Sequence, residues 1–188
     1  MLVQTVDSWD IGAPKSSWVW DTSKPVDRRA WATFDPARIY RYTLGRLWRV
    51  DKPRCLFVML NPSIGTASVD DPTIRRCVDF AQRWGCGSLE IGNLFAYRST
   101  DPRELHKQAD PVGPKNDEVL LGLQRRAKLV VAAWGLRGKL HHRDREVLYK
   151  IGDRGPIHCL GLTKGGQPVH PLYVPAETKL QVLDSGGC

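Results

Sequence analysis

The stretch Phe57-Val58-Met59-Leu60-Asn61-Pro62-Ser63-Ile64-Gly65 limits the folds open to this chain more than any other segment. A wholly apolar run stops at Asn-Pro-Ser-x-Gly. Proline has no N–H for a sheet ladder, and asparagine does not continue a hydrophobic face. Serine and glycine then supply a tight turn. The pattern reads as a buried strand that ends by delivering polar side chains beyond the sheet. Three later segments end in the same manner: Ser88–Phe95 at Asn93-Leu94-Phe95, Lys128–Gly135 at Trp134-Gly135, and Pro156–Gly161, which leads through a turn at 164–168 to His170-Pro171. Helical segments separate them. The order predicts an α/β fold with a largely parallel four-stranded central sheet flanked by helices. In such sheets ligands bind in the crevice beyond the carboxyl ends of the strands.

Local signals place the other elements. Asp71 is a good N-cap, with Pro72 at the first helical position, and Ile74, Cys77, Val78 and Ala81 keep helical spacing up to Trp84. Asp70, just before this cap, has a functional alternative as a base or ligand contact. A short helix is expected within 100–111, a longer one over 115–127 and a basic one over about 138–150. Residues 38–50 alternate apolar and polar around Leu44-Gly45 and read as an N-terminal antiparallel hairpin. The expected organisation is an arm over 1–35, packed on the body through Trp9, Trp18, Trp20 and Trp31. A single α/β domain over 36–178 and a frayed tail over 179–188 follow it.

Several classes of function are set aside. The longest apolar run is far short of a membrane span, and the first ten residues lack the basic start and apolar core of a signal peptide. A cytoplasmic protein with no membrane partner is expected, monomeric by default. The five cysteines form no C-x-x-C pair and have no histidine at metal spacing, so no metal site is expected. G-x-G-x-x-G and P-loop patterns are missing, and no cofactor is expected. The net charge of +8 points to a polyanionic partner.

The convergent strand ends hold two carboxamides and an imidazole: Asn61, Asn93 and His170. An asparagine offers both donors and an acceptor to a base edge. A neutral histidine donates where negative charge develops, and an asparagine carbonyl holds a water. These are the parts needed to break an N-glycosidic bond.

The order Asn-Pro-Ser-x-Gly, Asn-Leu, Trp-Gly and His-Pro-Leu resembles the uracil-DNA glycosylase superfamily. Its first motif is similar to the Gly-Met-Asn-Pro-Gly version of the mismatch-specific and single-strand-selective branches, and its last to the His-Pro-Ser-Pro-Leu loop. A closer match over about residues 38–175 is to the domain of unknown function 1643 family. It rests on Arg41-Tyr42-x-Leu44-x-Arg46-x-Trp48, Val58–Ser63, Asp70–Cys77, Asn93–Arg98 and Thr100-Asp101-Pro102. The glycosylase resemblance implies that Asn61 positions the attacking water, Asn93 reads the flipped base and His170 stabilises the departing base anion. It also implies that Phe95 or Tyr97 stacks on the base beside Pro62, that Leu172 and Tyr173 wedge into the vacated stack, and that Ser63 contacts a phosphate. Leu-Tyr-Val-Pro follows His170-Pro171 in place of Ser-Pro-Leu, and no carboxylate occupies the first motif. The second departure favours an unusual or modified base over uracil.

Arg76, Arg98 and the basic run containing Arg137, Lys139 and Arg143 are expected along a DNA backbone, duplex or single-stranded. The functional expectation is a DNA glycosylase-like hydrolase. The alternatives are a non-catalytic DNA- or nucleotide-binding module on the same fold, and a nucleoside or nucleotide hydrolase.

Overall fold

A computed structural model describes residues 18–20, 29–64 and 71–183. Gly65, Asp70 and residues 184–188 lie outside the described residues, as do the side chains of Trp9, Trp18 and Trp20. One eight-stranded sheet runs in the order β1-β2-β3-β5-β4-β6-β7-β8. Its strands are β1 (Trp18–Trp20), β2 (Ala30–Phe34), β3 (Arg41–Leu47), β4 (Arg54–Met59), β5 (Ser88–Asn93), β6 (Leu129–Ala132), β7 (Ile157–Cys159) and β8 (Gln181–Val182). The helices are α1 (Pro72–Arg83), α2 (Asn116–Arg126) and α3 (Arg143–Ile151). Strands β5, β4, β6 and β7 are mutually parallel. The sheet as a whole is mixed: β1, β2 and β3 pair antiparallel at one side and β8 pairs antiparallel at the other. The expectation of a four-stranded sheet is corrected to a four-stranded parallel centre with antiparallel flanks.

The centre is apolar because it is covered on both faces. Leu56 and Val58 of β4 pack with Leu120, Leu123 and Val147 on the α2–α3 side. Cys55, Phe57 and Met59 pack with Ile74, Cys77 and Phe80 of α1 on the other. Asp71 caps α1 as read from the sequence, its Oδ1 accepting from the Ile74 N–H at 2.8 Å.

Two segments differ from their local reading. Residues 41–47 form one unbroken strand, and the hairpin is made by β2 and β3 around a turn at 35–40. Asp35 holds that turn, accepting from the N–H groups of Ala37 and Tyr40. Gly45 does not turn the chain: a Cβ there would lie 2.1 Å from the Trp31 ring of β2. The glycine makes room for an indole that is 1% exposed. We expect Gly45→Ala to cost about 1–3 kcal/mol through overpacking, measured by urea unfolding. Gly152→Ala, with nothing within 4 Å of its Cβ position, should shift stability by less than about 0.5 kcal/mol.

The expected basic helix over 138–150 is a 3₁₀ segment, Leu136–His142, followed by α3. Consecutive left-handed residues, His141 (φ 54°) and His142 (φ 56°), end that segment and precede α3. Parts of the expected arm and tail lie in the sheet. Ala30–Phe34 is a buried strand of the sheet, and Gln181–Val182 pairs with β7. No helix among the described residues is long and apolar enough to cross a membrane.

Candidate functional site

The parallel centre brings the ends of β5, β4, β6 and β7 to one edge, and β3 begins at that edge because it runs antiparallel to β5. Backbone bonds join the exits. Leu94 and Ala133 donate to the carbonyls of Met59 and Val58, both at 2.8 Å, and Ser99 donates to Pro62 at 2.9 Å. Gly135 donates to the Pro168 carbonyl at 2.9 Å. The four polar strand ends noted in the sequence therefore lie side by side.

Asn61 is half-buried. Its Nδ2 donates to the Ser99 carbonyl at 2.9 Å and to the Pro62 carbonyl at 3.2 Å. With both amide hydrogens held, the side chain presents Oδ1 as an acceptor. Asn93 ends β5 opposite Met59, on the face that packs against α1, and is 3% exposed. Its backbone carbonyl accepts from Asn116 Nδ2 at 3.0 Å. The same Nδ2 reaches the Leu94 carbonyl at 3.0 Å, and Arg143 Nε donates to that carbonyl at 2.9 Å. The strand end that carries the Asn93 carboxamide is thus clamped from α2 and α3.

His170 caps the short 3₁₀ turn Pro171–Tyr173, its Nδ1 accepting from the Leu172 N–H at 3.3 Å. That bond puts the proton of the neutral ring on Nε2. Burial lowers the pKa of His170 from its ordinary 6.5, against an opposing pull from Asp71. Gly135 (φ +75°) lets the β6 exit pass beside it, a Cβ there lying 3.8 Å from His170 Cβ. A histidine whose folded pKa is lowered binds fewer protons than in the unfolded chain. Stability should therefore fall as pH drops through 6.5 toward the folded value. Imidazole proton shifts in NMR should give His170 a midpoint below 6.5, and His170→Gln should flatten the fall in stability over that window.

Asp71 also acts on Arg41, which begins β3 at the same edge and is 5% exposed. Burial pulls this guanidinium down to about 10, with Arg98 adding to the effect, Asp71 opposing it and Arg46 adding again. Sequence reasoning assigned Arg41 no role at the site. A strand that carries two arginines, Arg41 and Arg46, among apolar and small residues is the signal that marks it.

The remaining residues separate into those at the edge and those committed elsewhere. Pro62 is buried and Ser63 half-buried in the β4 exit. Tyr97 is half-buried and edge-on to Tyr40 at 6.4 Å. Leu172 and Tyr173 are exposed beside His170, as are Arg137 and Lys139 on the β6 exit. Phe95 is corrected: it is 0% exposed, in the core on the α2 side, and offers no face to a base. Arg143 is corrected as well. It is 1% exposed, binds the Leu94 carbonyl and pairs with Asp117 and Glu146, so no phosphate reaches it. Arg98 donates to the carbonyls of Arg38 at 2.8 Å and Ile64 at 2.6 Å, which fastens the β4 exit to the 35–40 turn. Arg76 donates to the Val174 carbonyl at 3.3 Å. Among the described residues no three His, Cys, Asp or Glu side chains gather as metal ligands.

The pattern of one family, described as a protein of unknown function (DUF1643), matches residues 41–172. No curated protein and no solved structure matches.

Proposed function

The chain belongs to the DUF1643 family, and on the chemistry of its carboxyl edge we propose that it is a DNA glycosylase-like hydrolase that removes an unusual or modified base flipped out of DNA. The observation that carries this reading is the opposite polarity of two strand ends. Asn61 is locked as an acceptor by its bonds to Ser99 and Pro62, and His170 is held as an Nε2–H donor by the Leu172 N–H. Asn61 Oδ1 holds a water on one side of the sugar. The water oxygen bonds to C1′, the C1′–N bond breaks, and its electron pair leaves with the base. His170 donates to the base oxygen where the charge collects, and the water proton ends on the base or in solvent. The Asn93 carboxamide, whose backbone is clamped by Asn116, reads the base edge. The support that the fold lends to this reading is a parallel centre, covered by helices on both faces, whose strand ends share one edge.

The test is a set of oligonucleotides, single- and double-stranded, each carrying one deaminated, oxidised or alkylated base, followed by hot alkali to cut at abasic sites. Cleavage is expected for at least one base and is expected to vanish in Asn61→Ala. Tight binding without any abasic product would overturn the hydrolase reading in favour of a nucleotide-binding module. One observation favours that second reading: the first motif carries an amide in place of a carboxylate, so Asn61 holds a water without deprotonating it.

A further inference from the structure

Nine large hydrophobic side chains are exposed among the described residues, and six of them project from the carboxyl edge of the sheet: Ile39, Ile64, Leu136, Leu162, Leu172 and Tyr173. They come from the 35–40 turn and from the exits of β4, β6 and β7. Contacts link several of these segments. Arg98 holds the Ile64 carbonyl, Gly135 lies against His170, and the His170 ring stands 5.5 Å from Tyr173. The charge on the three strand exits has one sign. Segments 60–64, 133–142 and 160–174 contain no aspartate or glutamate, while Arg137, Lys139 and Lys164 stand exposed on them.

We propose that this rim binds single-stranded DNA in preference to duplex, as the landing surface for the strand that delivers the base. The inference rests on the glycosylase-like reading of the adjoining site. Arg137, Lys139 and Lys164 attract a phosphate chain, and the carboxylates that act nearby, Asp101 on Arg137 and Asp71 on His170, come from other segments. Separate apolar projections on several loops meet base faces only where those faces are unpaired, since a duplex hides them in its stack. A protein partner fits less well, because the cores of protein interfaces are depleted in lysine and other charged side chains. Tyr173, 81% exposed beside His170, is the principal stacking platform.

The experiment is fluorescence anisotropy with a labelled oligodeoxythymidylate of about 15 nucleotides and a duplex of the same length. The single strand should bind at least about tenfold more tightly, with an affinity that falls steeply as salt rises. Tyr173→Ala should weaken it by about 5- to 100-fold, with Tyr173→Phe restoring most of the loss. Tyr149→Ala, on the exposed face of α3, should leave it unchanged. Equal or tighter binding of duplex would overturn the proposal, as would a loss in Tyr149→Ala matching that in Tyr173→Ala. Self-association abolished by Tyr173→Ala, with no oligonucleotide bound, would assign the rim to a second copy of the chain and would also overturn it. Abasic product is scored separately. Single-strand preference without it leaves this inference standing and removes the hydrolase, and abasic product from duplex without single-strand preference does the reverse.

Discussion

Changing Asp117 and Glu146 together to alanine should cost the fold about 3–5 kcal/mol, seen as a fall in the urea midpoint with an unchanged slope. The reason is the charge they serve. Arg143 is 1% exposed, and its guanidinium has three acceptors: the Leu94 carbonyl at 2.9 Å, Glu146 at 2.8 Å, and Asp117. Without the carboxylates a cation stays in the interior with one carbonyl for company. Adding Arg143→Met removes that cation and should recover most of the loss, because an apolar side chain of similar length replaces a buried charge at little cost. A triple variant as unstable as the double would show that the buried charge is not the cause. Acid should act on the same contacts. For Asp117, burial pushes the carboxyl up, but bonds from Arg143 and Lys150 outweigh it and the net shift is downward. Bonds from Lys150 and Arg143 also hold Glu146 low. Groups lowered in the folded state stabilise it above their ordinary values of 3.8 and 4.5, and that contribution is lost as pH falls through the folded values. The double variant should show a shallower acid limb than the natural protein.

His170→Ala should slow abasic-site formation at saturating oligonucleotide by about 10²–10³-fold, a loss of turnover separate from the affinity lost with the turn that carries Tyr173. The base carries its charge only as the C1′–N bond breaks, so a donor aimed at that oxygen acts on the transition state more than on the bound substrate. His170→Gln, which keeps an N–H at similar reach, should recover part of the rate. Protonation of the ring would be no substitute for the neutral donor. Nδ1 is the acceptor for the Leu172 N–H, and a proton there removes the bond that sets the turn.

The two corrected arginine and glycine readings mark where local pattern stops being informative. The stop at Asn61-Pro62-Ser63 and the cap at Asp71 were legible because a strand exit and a helix start are decided by neighbours in sequence. The alternation over 41–47 was legible as strand, but Gly45 was misread as a turn because what it accommodates, the Trp31 ring, comes from a different strand. Arg143 looked like a surface cation in a basic run. Its burial depends on a carbonyl just past β5 and a carboxylate of α2, which no local window contains. The break at His141-His142 carried no glycine or asparagine to announce two left-handed residues. At the site, the strand-end carboxamides and His170 stood out by residue type. Arg41 did not, since what marks it is burial at the edge, with the charges of Arg98 and Asp71 acting on it from elsewhere in the fold. The two-residue strand β8 is too short and too polar at Gln181 to leave any pattern.

The insertion of β5 between β3 and β4 has a consequence for synthesis on the ribosome. Strands β1 to β3 emerge first, yet the neighbour that anchors them to the rest of the protein is not made until Ser88–Asn93 has been translated. Until then the nascent chain displays the Trp31 side of its hairpin and an open backbone edge along Leu44–Leu47 to its surroundings. Any slowing of elongation between Arg54 and Ser88 prolongs that exposure, so the tempo of translation there bears on yield.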